Sequence, residues 1–367
     1  MKLLQPKFLV PASAGLLLSF SATPDRVAFA PEKGLSVTRS FETRVTMDLE
    51  DMTLEMDGQD MTAMMGGLPE MSMTTTNTVS VTDEFVEMGQ GRPKKLKRTY
   101  DSIASNTVVD VSMMGEGQSN ETAASSDLEG GTVVFSWDDE KGEFGKRWAD
   151  ENETRDADLL EGLEEDMDLR QFLPSADVEV GTSWDIPTKA LLSLVMPGGN
   201  LGMEPDDMDS DMGDMDMDQI TQMFEEMMDE YSSTVEELFS GERKATYEGR
   251  REIDGTTYAV ISLKLDTDGT VDLSGMIEDL IDRMMEITES DVEVDLTIST
   301  ADLNVTIDGS GQLLWDPKRN TFASLTMTND ISFSVEVSMD VDAMGEAHSM
   351  DMTLEMSGDT ETKISAR

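Results

Sequence analysis

Ile331-Ser332-Phe333-Ser334-Val335-Glu336-Val337-Ser338-Met339-Asp340-Val341 decides the fold class. Every odd position is apolar and every even position polar, the period of an extended strand whose side chains alternate between two faces. One buried face and one wet face mark an antiparallel sheet, because a doubly covered parallel strand would be apolar throughout. Residues 342–349, with Gly345, predict a turn that places His348 at a loop tip. Met350, Met352, Leu354 and Met356 then alternate with Asp351, Thr353 and Glu355, so the whole reads as a long hairpin.

The same alternation extends outward along the chain. Val37, Phe41, Val45, Met47 and Leu49 share one parity, and Met52, Leu54 and Met56 share the other. A second switch falls between Val292-Val294-Leu296-Ile298 and Leu303-Val305-Ile307. A one-residue slip turns every later side chain to the opposite face, so each switch predicts a bulge in a long, curved strand. Further strands are expected at Met71–Met88, Lys95–Ser102, Thr107–Met113, Thr132–Trp137, Glu143–Trp148, Ala245–Arg251, Thr257–Leu265, Gln312–Asp316 and Thr321–Thr328. Asp138–Gly142, Asp254-Gly255 and Asp316–Asn320 carry the turn residues between neighbouring strands. Four segments have helical spacing: Asp158–Leu173, Thr188–Val195 between Pro187 and Pro197, Gln219–Phe239, and Gly275–Ile287. The fold class is therefore mainly β with a few helices (α+β), in long antiparallel sheets. Asp51–Met56 recurs verbatim as Asp351–Met356, either as chance in a Met-rich, Asp-rich chain or as the mark of two related halves. The organisation favoured is two related half-barrel-like units, residues 31–196 and 219–367, around an acidic Met/Asp-rich linker, residues 197–218.

The 367-residue chain carries 77 Asp and Glu against 27 Lys and Arg, a formal charge of −50. Such a surface repels polyanions, which excludes nucleic acid as a partner and disfavours anionic membrane surfaces. Multivalent cations are its natural counter-species, and salty surroundings would favour the same composition. Residues 1–30 read as an export signal: Lys2 and Lys7 precede an apolar run, Phe8–Ala22, that is shorter than the ~20 residues a spanning helix needs. Stable transmembrane insertion is not expected. Two cuts are open. Ser19-Phe20-Ser21 fits a small-x-small site, and Ala28-Phe29-Ala30 fits the pattern better but would leave Pro31 after the cut. The expected location is periplasmic or extracellular. With no cysteine, the chain has neither disulfides, thiolate metal sites nor a lipid-bearing N-terminal Cys.

Asp207, Asp209, Asp211, Asp214, Asp216 and Asp218 make the densest carboxylate run and are the candidate metal ligands, Ca²⁺ being the hard cation they suit. The interleaved methionines suit soft Cu(I) instead, and the spacing is not that of an EF-hand. A solvated acidic linker explains the run more simply. Asp266–Asp272 is half of a Ca²⁺-loop pattern and also a plain turn. The 31 methionines act as core filler or line an adaptable apolar cavity. His348 is the only histidine, and Lys94–Arg98 is the one basic cluster, read as an ion-pairing patch. Carboxylate pairs are everywhere and so single out no hydrolytic site. No residue set makes a catalytic or cofactor signature, and a non-enzymatic protein is expected.

Leu173-Pro174 followed by Val180-Gly181-Thr182-Ser183-Trp184 resembles a segment of exported bacterial β-rich proteins of unknown function. Tyr247-Glu248-Gly249 with Asp254–Ile261, and Gly309–Asp316, are similar to their later strands. The likeness covers about residues 170–330, and it implies kinship in fold with the half-barrels of bacterial envelope lipoprotein and lipid carriers. The sustained one-face-apolar strand pattern with methionine filling leads to the expected function, an apolar ligand or lipid held in a curved-sheet cavity. The alternative is a Ca²⁺-binding or acidic structural envelope protein, and a carboxylate-based hydrolase ranks below both.

Overall fold

A computed structural model describes residues 24–62, 67–113, 116–205, 237–279, 294–343 and 346–367. The strands are β1 (Ser36–Met56), β2 (Gln59–Asp60), β3 (Glu70–Met88), β4 (Pro93–Met113), β5 (Glu116–Ser126), β6 (Thr132–Asp138), β7 (Glu143–Trp148), β8 (Ser183–Asp185), β9 (Met203–Pro205), β10 (Gly241–Ile253), β11 (Thr256–Asp272), β12 (Val294–Asp316), β13 (Thr321–Ala343) and β14 (Glu346–Ala366). One helix, α1 (Thr188–Val195), lies where the flanking prolines predict it. Strands of 23 residues, as in β12 and β13, are far longer than the usual five or six and span roughly 75 Å.

All fourteen strands belong to one antiparallel sheet, ordered β7-β6-β4-β3-β1-β14-β13-β12-β11-β10-β8, with β2, β5 and β9 attached off this path. Its ends do not pair, so it is not closed into a barrel. Where the sequence suggests two sheet units, hydrogen bonds make one sheet: β1 pairs with β14 from Arg39↔Ala366 to Met56↔Met350. The repeated hexapeptides lie face to face in this seam, Met52 opposite Leu354, Thr53 opposite Thr353 and Leu54 opposite Met352. Both expected parity switches are register shifts, between Leu49 and Asp51 in β1 and between Ile298 and Thr300 in β12. Asp254 and Gly255 both have positive φ, 49° and 76°, as a tight two-residue hairpin requires.

The inner face has three zones along the strands. The proximal zone is the main core, in which Phe135 of β6, Phe41 of β1, Trp315 of β12 and Tyr247 of β10 join one cluster. Strands far apart in the sheet order share that cluster, so the sheet wraps around it. The distal zone holds a small cluster, Ile298, Ala301 and Val337, flanked by Leu273, Ile277, Met339 and Met352. Between them runs a polar belt. Its rungs are Ser105 Oγ donating to Asn77 Oδ1 at 2.6 Å, a Thr75–Thr107 hydroxyl pair at 3.0 Å, and Asn329 Nδ2 donating to Thr360 Oγ1 at 2.7 Å.

Four segments differ from expectation. Asp158–Leu173 is not a helix: it holds two short 3₁₀ turns, Asp158–Leu160 and Arg170–Phe172, in an otherwise irregular path. Its backbone groups bond sideways, Glu164 N–H to Gly198 O at 2.6 Å and Asn200 N–H to Gly162 O at 3.0 Å, rather than to the preceding turn. Residues 24–30, inside the stretch read as the signal, are built into the fold, with Val27 and Phe29 buried. Residues 197–205, at the front of the stretch read as a linker, are built in too: Leu201 is buried and β9 pairs with β5. His348 lies in β14 rather than in the turn before it. Residues 274–279 are helical, as Gly275–Ile287 predicts for its start. The rest of that segment, and residues 219–236 of Gln219–Phe239, lie outside the described residues.

Gly358 faces Met47 in the β1–β14 seam, and a Cβ there would run into the Thr46 carbonyl oxygen. Gly358→Ala is expected to destabilise the protein by about 1–3 kcal/mol, the usual cost of overpacking. Urea unfolding checks this, through a lowered midpoint at an unchanged m-value.

Candidate functional site: an inner-face cavity and its ionic support

A cavity of about 260 Å³ lies on the inner face where the core meets the polar belt. Phe41 and Thr43 of β1 and Asn77 and Val79 of β3 form its floor, and residues 195–203 form its roof. Alternation along β1 and β3 makes this floor: the same parity carries Phe41 and Val79 in one row and Thr43 and Asn77 in the next. Turn chemistry makes the roof. Pro197 ends α1, and Gly198 and Gly199 both take φ of +84°. A Cβ on Gly199 would collide with the Gly162 carbonyl oxygen, so only glycine lets the roof dock this closely. Val195, Met196 and Met203 stand at the rim with 62%, 54% and 41% of their surface exposed. Asn77 Oδ1 accepts from Ser105, which turns its amide N–H groups away from that bond. Among the described residues the lining carries no ionisable side chain. The site offers apolar contact plus a few neutral hydrogen-bonding groups, the usual make-up of a small-molecule pocket.

The roof is held by buried charge. Asp83 of β3 lies between two arginines: Arg98 bonds both its oxygens, at 2.8 and 3.0 Å, and Arg39 bonds Oδ2. All three side chains are almost fully buried. Burial opposes the ionised carboxyl, yet Arg98 and Arg39 outweigh it and hold Asp83 below the usual carboxylate range. Arg39 is sandwiched between the Phe85 and Phe322 rings, 5.5 and 5.6 Å from their centroids. Arg98 also reaches out of the sheet, donating to the carbonyls of Glu164 at 3.0 Å and Glu165 at 2.8 Å. The loop that carries those carbonyls in turn bonds the roof glycines. It has its own centre in Arg170, which contacts Glu165 at 2.6 Å, Asp168 at 2.8 Å and Asp166 at 3.6 Å. Burial pushes the Asp168 carboxyl well up. Arg170 pulls it back only in part, because Asp166 and Glu165 add negative charge beside it.

Other candidate residues fall elsewhere. Asp207, Asp209, Asp211, Asp214, Asp216 and Asp218 all lie outside the described residues. Among the described residues no group of three or more His, Cys, Asp or Glu is arranged to hold a metal ion. Asp266–Asp272 is strand, the distal end of β11, not a loop. In the basic cluster Arg98 is buried as above, and Lys94 pairs with Asp139 at 2.8 Å. His348 Nδ1 lies 2.8 Å from Asp57 Oδ2 on the surface. The cavity floor escaped the sequence reading because its signal is only two polar residues, Thr43 and Asn77, beside Phe41 and Val79 on a parity that carries other polar residues as well. The roof escaped because Pro197–Asn200 carries turn composition whether it packs or not.

No family model matches the chain, and no curated protein does. Among solved structures, an outer membrane channel from Pseudomonas putida F1 aligns with 94% of this chain and 100% of its own, at 6% identity and a TM-score of 0.18. A score that low carries no argument about fold or function. No described helix is long and apolar enough to cross a membrane, which says nothing of strands.

Replacing Arg170 by Met leaves Glu165 buried without its cation, at an expected cost of about 3–5 kcal/mol. Asp168→Asn mimics the protonated acid and should stay within about 1 kcal/mol of the parent near neutral pH. The sign follows from the raised value. Asp168 contributes stability that is fully present below the ordinary aspartate range and is lost as pH rises through its folded value. Unfolding measured from pH 4 to pH 9 should show that decline in the parent and a flatter profile in Asp168→Asn.

Proposed function

We propose that the protein is an exported, non-enzymatic binding protein that holds an apolar ligand, such as a lipid chain, against the inner face of its sheet. The cavity beneath residues 195–203 carries this reading. Its floor sets Phe41 and Val79 beside Thr43 and Asn77, its rim leaves three large apolar side chains in solvent, and its few polar groups are neutral. Exposed apolar side chains gathered round a concavity mark a binding site more often than they decorate a monomer's surface. The resemblance to envelope lipid-carrier half-barrels points the same way, at the level of fold analogy. Export is supported by the basic start and short apolar run of residues 1–22.

Mass spectrometry of the purified protein is expected to find a co-purifying lipid, and a solvatochromic acyl probe is expected to bind saturably. Val195→Asp combined with Met203→Asp places charge on the rim without touching the core, and should weaken probe binding at least tenfold. A lipid-free preparation that binds no apolar probe overturns the reading.

A second reading, an acidic protein that recruits cations, has one observation of its own. Asp266, Asp308, Asp330 and Asp359 lie directly opposite one another across β11, β12, β13 and β14. All four are exposed, and Lys264 stands 3.7 Å from Asp266 at one end of the row. Like charges on neighbouring strands repel, so added salt should raise the melting temperature by screening them. Thermal melts in NaCl and in CaCl₂ at equal ionic strength separate screening from binding. Equal shifts mean screening alone, and an extra shift with saturable heat in Ca²⁺ calorimetry favours the second reading.

A further inference from the structure

The sequence offers two export cuts, after Ser21 and after Ala30, and the fold distinguishes them. Asp25 pairs with Val178 in both directions, donating its N–H at 2.8 Å and accepting at 2.9 Å. Its carboxylate accepts from Tyr247 Oη at 2.5 Å and lies 3.0 Å from the Arg250 guanidinium. Burial and that bond to Asp25 together push the Tyr247 hydroxyl up to about 12, so it stays a donor. Val27 and Phe29 are only 4% and 6% exposed. The Phe29 ring meets Phe85 edge-on at 5.7 Å, and the Arg170 guanidinium lies 5.4 Å from its centroid. Ala30 N–H donates to Asn320 O at 3.3 Å. Residues 25–30 thus stitch β10, β3, the Arg170 loop and the β12–β13 turn to one another. A cut after Ala30 would strip two side chains from the core and leave Tyr247 and Arg250 without their carboxylate. It would also leave Pro31 as the first residue, with its fixed φ and no amide N–H at the scissile bond.

We infer that the leader is removed at the Ser21–Ala22 peptide bond, so that the mature protein begins Ala22-Thr23-Pro24-Asp25; this rests on the export reading above. Ser19 and Ser21 are the small residues that a signal peptidase selects. The step is a hydrolysis. The amide bond breaks, water supplies the oxygen that makes Ser21 a carboxylate, and Ala22 takes the proton and becomes the new α-amine. The side chains of Asp25, Val27 and Phe29 are all retained by the mature chain.

The full-length gene is expressed in a bacterial host, and the extracytoplasmic fraction is examined by intact mass and N-terminal sequencing. The expected start is Ala22. Any other start overturns the inference and leaves the export reading standing, whereas an uncut chain confined to the cytoplasm overturns both. A second arm compares purified chains that begin at Ala22 and at Pro31. The shorter chain is expected to unfold at a clearly lower urea concentration, and equal midpoints would remove the structural basis of the inference.

Discussion

The fold depends on one buried ionic arrangement, Asp83 between Arg39 and Arg98. It is the only part of the inner face where β1, β3 and β4 present charge to the core rather than carbon. Charges taken out of water must be repaid by close geometry and by hydrogen bonds to their remaining protons. Arg98 meets that condition by spending its outward protons on two loop carbonyls. The sheet therefore specifies where the irregular segment 158–173 must sit, and that segment specifies where the roof of the cavity must sit. Arg39 meets the condition less fully. Two of its nitrogens lack a hydrogen-bond partner, and aromatic faces stand in for them.

The polar belt follows from the length of the strands. A sheet spanning roughly 75 Å has more inner face than one compact core can fill. Thr, Ser and Asn at inner positions of β3, β4, β13 and β14 interrupt the apolar face, because they bond to one another across strands. The cavity forms at this boundary, where Val79 gives way to Asn77 and Phe41 to Thr43. Its mixed character is a property of the boundary rather than of any single residue.

Strands and bulges were legible because both depend on a period of two that side chains obey locally. Leu49 followed by Met52, and Ile298 followed by Leu303, betray their bulges in the sequence itself. The pairing partners were not legible. Asp51–Met56 and Asp351–Met356 are alike, and likeness suggested duplication. In an antiparallel seam it also permits mutual pairing, since each copy meets the other reversed about Thr53 and Thr353. The Asp158–Leu173 segment was misread for a physical reason: Leu159, Leu163 and Met167 have helical spacing, but Gly162 and the sideways bonds from Arg98 take the backbone elsewhere. The site was the least legible part, because it is assembled from β1, β3 and residues 195–203, which no local pattern connects.

The β1–β14 seam has a consequence in time. Its hydrogen bonds join residues near both ends of the chain, about as non-local as contacts in one domain can be, and such contacts form late and slowly. As the chain is synthesised, β1 can find β3, and β12 can find β13, but the middle of the sheet stays open until the last strand is made. β14, paired with β1 on one edge and with β13 on the other, is the clasp that joins the two arms of the sheet.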